Sequence, residues 1–521
     1  MQVYATFWAL LPPIIAIVLA LITKEVYSSL FIGIVVGALF YSGFSFEGTL
    51  NHIFFEEVDD ASYGMISVLS DSSNVGILIF LVILGALVAL MNNAGGSAAF
   101  GRWATAHIKT RVGAQLATIA LGVLIFVDDY FNCLTVGSVM RPVTDTHNIS
   151  RAKLAYLIDA TAAPICIIAP ISSWAAAVAA FASKSDANGI ALFISAIPYN
   201  FYALLTILMM ITLAVSKTDF GPMALHERNA LKGDLFTTEN RPYADADAHE
   251  DTSKGRVIDL VLPVVVLVIA CVIGLIYTGG FFSGESFVSA FANCSASMGL
   301  VLGSSVALVF AIIFFIVRRV LSFKQCMACI PEGFKAMVPA ILILTFAWTL
   351  KSMTDSLGAA EYVAGVVHAS AGSFMNFLPA VIFIIACLLS FATGTSWGTF
   401  GILIPIVLEV FGASGTALST ISMSACMAGA VCGDHCSPIS DTTIMSSAGA
   451  QCDHVNHVST QLPYAISGAG ISFITYLICG VLLTIGMANP VWVALPLGIV
   501  LTIVYIMLMK RATSKKYASQ A

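Results

Sequence analysis

The sequence predicts an all-α polytopic membrane protein with about eleven transmembrane helices, two opposed re-entrant hairpins and an inverted repeat of five spans. Three observations carry this: a composition foreign to soluble folds, paired apolar segments too short to cross a bilayer, and a lopsided placement of basic residues. Of 521 residues, 59% are hydrophobic and 10% charged, against roughly 25% charged in a soluble domain. Mean hydropathy is +0.94. Soluble, disordered, collagenous and disulfide-stapled classes all fail on these values. At about 20 apolar residues per crossing, the chain has material for about ten or more spans.

The elements follow in order. Apolar segments run at 6–22, 27–44 and 75–91. The N-terminus has neither a basic leader nor a small-residue cleavage site, so 6–22 reads as a span. Next come 112–127 and 131–141, split at Asp128-Asp129-Tyr130, as a first hairpin (about 112–141). A broken span follows at about 154–182, interrupted at Ala169-Pro170-Ile171-Ser172-Ser173, then a span at 190–215. Residues 216–256 form a polar, solvated cytoplasmic linker. The second half offers 257–280, 298–317 and 336–350. A hairpin at about 375–411 is split at Thr393-Gly394-Thr395-Ser396, and a broken span at about 416–450 is interrupted at Gly433 to Asp441. The span 462–486 closes this half, and residues 487–521 hold an extra span and a tail. Proline at a break removes a backbone donor, and non-helical backbone at membrane depth is tolerated only where protein or water satisfies it.

The halves match in collinear order. Gly33-x-x-x-Gly37 corresponds to Gly299-x-x-x-Gly303, Phe126–Gly137 to Phe391–Gly401, and Ala169-Pro170-Ile171-Ser172 to Ser437-Pro438-Ile439-Ser440. Repeats of 1–215 and 257–486 follow. Paired interruptions in two halves point to a transporter binding site. Placing loops by this scheme puts 21 of the 23 cations on one side and leaves Lys184 and Lys351 on the other. The basic side is cytoplasmic, so the N-terminus is outside and the C-terminus inside. Five crossings per repeat invert the second half.

Ionisable residues at membrane depth are functional candidates. Asp128 and Asp129 either hold an ion or proton or cap the helix after them, while Asn132 and Thr135 either ligate or pack. Asp159 is a proton site or a buried hydrogen-bonded pair. Ser172 and Ser173 either ligate or satisfy the break. In the second half, Thr393, Thr395 and Ser396 at the hairpin tip combine with Asp434, Ser437, Ser440, Asp441, Thr442 and Thr443. His435 is a titratable or structural group, and Trp397 shapes a pocket or packs. Carboxylate, hydroxyl and carbonyl oxygens suit hard cations, so Na⁺ is expected at Asp128, Asn132, Ser172, Thr395, Ser396, Asp434 and Asp441. Cys452-Asp453-His454-x-x-His457 has metal spacing, but reads as a cytoplasmic loop without further ligands. Most of the twelve cysteines lie in apolar runs and read as buried thiols. With no phosphate-binding loop and no nucleophile beside a base, neither a primary pump nor an enzyme is expected. No nucleic-acid partner is expected either.

Gly433-Asp434-His435-Cys436-Ser437-Pro438-Ile439-Ser440-Asp441-Thr442-Thr443 resembles the NhaC-type sodium/proton antiporter family, part of a larger ion-transporter superfamily. So do Phe391-Ala392-Thr393-Gly394-Thr395-Ser396-Trp397-Gly398-Thr399 and Asp128-Asp129-Tyr130-Phe131-Asn132. The resemblance implies opposed hairpins, broken helices, an elevator-type transporter and a homodimer in a bacterial-type cytoplasmic membrane. The expected function is secondary transport with Na⁺ and H⁺ as coupling ions and no cofactor. Na⁺/H⁺ antiport comes first, and Na⁺-coupled transport of an amino acid or small carboxylate is the alternative.

Overall fold

The structure is a computed structural model describing residues 3–23, 25–55, 57–58, 61–126, 129–169, 174, 189–243, 255–359, 361–362, 365, 375–411 and 416–518. These residues are overwhelmingly helical. The only strand pairing among them is a two-residue ladder, Glu57–Val58 against Ala61–Ser62.

The chain opens with α1 (Leu11–Thr23), α2 (Val26–Tyr41), α3 (Phe46–Phe54), α4 (Met65–Ser70), α5 (Ser72–Asn93) and α6 (Gly96–His107). The expected first hairpin comprises α7 (Arg111–Leu124) and α8 (Asp129–Thr146). Then follow α9 (Arg151–Asp159), α10 (Ala163–Cys166), α11 (Gly189–Ala196) and α12 (Phe201–Ser216), with α13 (Pro222–Ala230) in the central loop. The second half contains α14 (Ile258–Thr278), α15 (Phe287–Ala292), α16 (Ala296–Val317) and α17 (Phe323–Ser356). Its helix–turn–helix is α18 (Leu378–Thr393) and α19 (Ser396–Phe411), followed by α20 (Ala417–Cys436), α21 (Asp441–Gly449), α22 (His454–Thr484) and α23 (Val491–Ala518).

Among the described residues, six helices are long and apolar enough to cross a bilayer, or eight if each of two bent pairs counts as one span. Eleven crossings were expected. Part of the difference lies in α1 and α2, whose apolar stretches Phe7–Ala20 and Tyr27–Tyr41 are shorter. The rest lies in the broken helices, whose pieces do not qualify singly. Met375–Thr393 qualifies as a span although it was expected to be one arm of a hairpin. Helix α17 is far longer than the apolar run 336–350. It starts at a capping box, with Ser322 and Gln325 bonding each other's backbone, and bends by 45° between Phe323–Val338 and Ile341–Ser356.

Two breaks position the site. The first comes directly after Asp159, and Pro164 explains it; the interruption expected at Ala169-Pro170-Ile171-Ser172-Ser173 falls, from Pro170 on, outside the described residues. A proline ring clashes with the carbonyl four residues back, here that of Ala160, so α9 ends and α10 restarts at Ala163. The second break spans 437–440, where Pro438 ends α20 by the same rule.

The apolar packing divides at both breaks. Leu154, Leu157 and Ile158 of α9 join one core with α2, α5, α8, α14, α16 and α17, whereas Ala163 and Cys166 of α10 join another with α12, α18, α19 and α20. The second break does the reverse. Met427 and Val431 of α20 lie in the second core, and Ile444 and Met445 of α21 lie in the first. Both broken helices therefore cross one seam. Within the first core, glycines bring backbones together: a Cβ on Gly137 of α8 would sit 2.4 Å from the carbonyl carbon of Gly449 of α21.

The central loop is not a purely solvated linker. Met223, Ala224, Glu227 and Ala230 of α13 are buried. Glu227 accepts a bond from Arg111 at 2.5 Å and from the backbone N–H of Ser150 at 2.8 Å. Nearby, Lys153 meets Asp219 at 2.6 Å, and Arg151 meets Asp145 at 2.8 Å. These pairs join loops that the charge argument had assigned to one side.

Candidate functional site

The second break is built around Asp434, in the last turn of α20 and only 4% exposed. Its Oδ2 accepts a 2.7 Å bond from Ser396, the first residue of α19. Its Oδ1 is buried without a hydrogen-bond partner in the protein. The hairpin tip is fixed against the break by two further features. Ser437 donates to the Phe391 carbonyl at 2.8 Å, and Gly394 turns with φ +66°, where a Cβ would meet the Ile439 carbonyl at 2.6 Å. Asp441, first residue of α21, is held through both oxygens, by Trp348 Nε1 at 2.9 Å and by the Tyr130 hydroxyl at 3.2 Å. Tyr130 ties the first hairpin to the second break. Ser440 and Thr442 share a 3.0 Å bond, and the buried Thr443 hydroxyl has no partner.

A cavity of about 390 Å³ reaches this place. Thr393, Thr395, Asp441, Trp348, Lys351 and Asp71 are among its lining residues. Lys351 is paired with Asp355 at 2.7 Å. Trp397 does not line it. Its ring packs 5.4 Å from Trp174, and its Nε1 has no hydrogen-bond partner.

The first break is sealed instead. Asp159 is 1% exposed, and its Oδ2 accepts from His457 Nε2 at 3.2 Å and Gln461 Nε2 at 2.7 Å. The same Gln461 amide donates to the carbonyl of His435, so one side chain of α22 bridges both breaks. His435 Nδ1 lies 2.7 Å from the Tyr202 hydroxyl. Asn132 donates to the carbonyls of Gly122, Ile125 and Thr161 at 2.7, 2.9 and 3.1 Å. It thereby satisfies backbone freed at the hairpin turn and at the break, while its Oδ1 has no partner. Asp129 is buried in the first turn of α8. Asp128, Ser172 and Ser173 lie outside the described residues.

The model of the Na+/H+ antiporter family matches residues 155–481, which include both breaks and the second hairpin. The chain belongs to this family. It is 38% identical over 488 residues to an uncharacterized protein of Haemophilus influenzae, covering 91% of each chain. Shorter matches reach a malate-2H(+)/Na(+)-lactate antiporter of Bacillus subtilis and an arginine/ornithine antiporter of Halobacterium salinarum. The first is 29% identical over 32% of this chain and 34% of that protein, the second 35% over 21% and 23%. The protein is thus a multi-pass secondary transporter of small ions or small molecules, in keeping with the NhaC-type resemblance.

Four site residues escape a reading of the sequence: Trp348, Tyr130, His457 and Gln461. Trp348 sits in an apolar segment where ring and packing look alike, and Tyr130 stands in the polar split at 128–130, where nothing local shows that its hydroxyl reaches Asp441. His457 belongs to the Cys452-Asp453-His454-x-x-His457 motif, whose first two residues precede α22 and whose histidines lie on it. Asp453 caps α22 by accepting from the N–H of Asn456, and His454 Nε2 meets the Pro438 carbonyl at 2.7 Å. Among the described residues, no cluster of three His, Cys, Asp or Glu side chains could hold a metal ion.

Proposed function

We propose that this protein exchanges Na⁺ for H⁺ across the cytoplasmic membrane by alternating access. The observation that carries this reading is the Asp434 carboxylate. One oxygen is held by the hairpin tip and the other is buried without a hydrogen bond, while the nearby cavity is lined by Thr393, Thr395 and Asp441 of the same turn and break. A desolvated carboxylate is costly unless a cation or proton meets it, and hydroxyl and carboxylate oxygens are the donors Na⁺ prefers. Asp434, Ser396, Thr395 and Asp441 bind Na⁺, and protons compete for the carboxylates. Asp128, Asn132 and Ser172 contribute from the first half, and Ser173, Ser437, Ser440, Thr442 and Thr443 line the path.

The arrangement that fits is eleven crossings with two opposed hairpins, repeats over 1–215 and 257–486, the N-terminus outside, and an elevator motion in a homodimer. The cavity is then on the outer side, since Tyr63 and Asp71 belong to the external loop region. Proteoliposomes with an internal pH dye test the reading: Na⁺ should drive proton movement in the wild type and not in Asp434→Asn. Full sodium-dependent proton flux in that variant would refute it.

A second reading rests on cavity size. About 390 Å³ exceeds what a bare ion needs, and Lys351 with Asp355 and Asp71 offers both charges. Na⁺-coupled transport of an amino acid or small carboxylate fits such a space, and the Bacillus and Halobacterium relatives carry names of that kind. Uptake of a panel of amino and carboxylic acids, with and without Na⁺, separates the two. A solute whose uptake collapses without Na⁺ favours the second.

A further inference from the structure

We infer that the cavity where α7, α12 and the central loop meet binds a phosphate oxyanion. It lies apart from both helix breaks, and the inference does not rest on the antiport reading.

The cavity holds about 230 Å³, below the roughly 300–1,000 Å³ of sites for drug-sized ligands, so it takes a small group. Thr110, Arg111 and Gln115 line it from the start of α7, Lys217 from the end of α12, and Asp219 and Glu227 from the central loop. The acceptors among these groups are already engaged. Glu227 accepts from Arg111 and from the Ser150 N–H. Asp219 accepts from Lys153 and from the Tyr464 hydroxyl, each at 2.6 Å. The last carbonyls of α12 are met as well. Leu213 accepts from the Thr218 N–H at 3.1 Å, Ala214 from the Lys217 N–H at 3.3 Å, and Ser216 from Lys510 Nζ at 2.8 Å.

The donors are not engaged. Gln115 is only 7% exposed and lines the cavity, yet no described residue bonds its amide. No described residue accepts from the Lys217 ammonium either. Arg111 gives Nη2 to Glu227, and its Nε has no partner. Thr110 caps α7 by accepting from the Gly113 N–H at 2.9 Å, which leaves the N–H groups of Arg111 and Val112 at the positive end of that helix. Arg111, Lys153 and Lys217 stand against Asp219 and Glu227, three cations to two carboxylates. Unspent donors around a small space call for an anion, and guanidinium groups and helix N-termini are established phosphate binders. Donors arriving from two helices suit a tetrahedral phosphate better than a planar carboxylate.

Two sources carry this chemistry, a phospholipid headgroup and free phosphate. Basic pockets at the ends of spans take anionic headgroups. Val215, 57% exposed and two residues before Lys217, gives acyl chains an apolar wall to follow.

Two measurements on the purified full chain in detergent test this, and neither needs transport. Thermal melting is followed in potassium phosphate against potassium chloride at equal ionic strength. Native mass spectrometry counts phosphatidylglycerol retained per chain, against phosphatidylcholine. The wild type should melt higher in phosphate, retain phosphatidylglycerol selectively, or both. A response to phosphate alone assigns the free anion, and retention of lipid alone assigns the headgroup. Lys217→Gly removes the ammonium at a residue with φ +53°, a conformation glycine adopts freely, so the fold is not put at risk. Gln115→Leu removes the amide and leaves the Arg111–Glu227 pair in place. Each variant should need about 10-fold more phosphate or lipid for the same response, the worth of one hydrogen bond to a charged group. No response of the wild type to either probe, or a response unchanged in both variants, overturns the inference.

Discussion

The two helix breaks use one device to opposite ends. In each, a proline stops a helix by clashing with the carbonyl four residues earlier, and an aspartate stands close to the stop: Asp159 before Pro164, Asp434 before Pro438. Around Asp434 the partner is the short hydroxyl of Ser396, and a cavity reaches the same break at Thr393, Thr395 and Asp441. Around Asp159 the partners are an imidazole and an amide from α22, with no hydroxyl among its hydrogen-bond partners. The break itself does not make an ion site. What fills the space beside the freed carboxylate decides whether a cation can reach it.

Four measurements would break or sharpen that contrast. The largest effect is expected at the open break. Asp434→Asn keeps the volume but removes the charge, and apparent Na⁺ affinity should fall by more than about 100-fold, beyond what loss of a supporting residue does. Thermal melting should move little. Next, Trp348→Phe deletes the indole N–H that orients Asp441. Loss of such an orienting bond weakens ion binding by about 10-fold or more, visible in the Na⁺ concentration for half-maximal flux. A wild-type value would show that Asp441 takes no part.

The sealed break should respond in stability rather than affinity. Gln461→Leu strips donors from Asp159 and from the His435 carbonyl, at a cost of about 1–3 kcal/mol, read as a lower melting temperature. Thr393→Val at the open break loses only a bond to its own helix, at Leu389, so its melting should stay close to the wild type. Equal losses in both would erase the distinction.

The smallest effect is expected at Glu227, outside the spans. Burial pushes its carboxyl above the ordinary range, with Asp219 adding to the shift and Arg111 and Lys153 opposing it. A raised carboxyl stabilises the fold below its unfolded value of 4.5 and loses that contribution as pH rises through the folded value. Glu227→Gln should therefore change melting little at neutral pH and flatten its pH dependence above the acid range. Glu227→Ala, which leaves the Ser150 N–H without its acceptor, should cost about 1–3 kcal/mol. A large loss in the glutamine variant would mean that the ionised form matters most.

Much of this was legible in the residues. Low charge and long apolar runs gave a helical membrane protein, and Gly394 with the Ser437-Pro438-Ile439-Ser440 stretch located the second turn and break closely. The break after Asp159 is hidden from hydropathy, because Pro164 lies within a continuous apolar run and interrupts the helix without interrupting the apolar residues. Hydropathy also hid the length of α17, since Lys324, Glu332 and Lys335 lie on a helix that begins at a cap and not at the apolar edge. The partners of Asp159 were unreadable for another reason. They lie about 300 positions away in sequence, and no local pattern specifies which distant helix face meets a given carboxylate.

The contact of Gly137 with Gly449 constrains motion. Where helices meet through interleaved side chains, those can trade rotamers and slip. Here two backbones touch with nothing between them to act as a bearing, so α8 and α21 share one trajectory. Any stroke that carries solute must be taken up at joints where side chains still separate the helices.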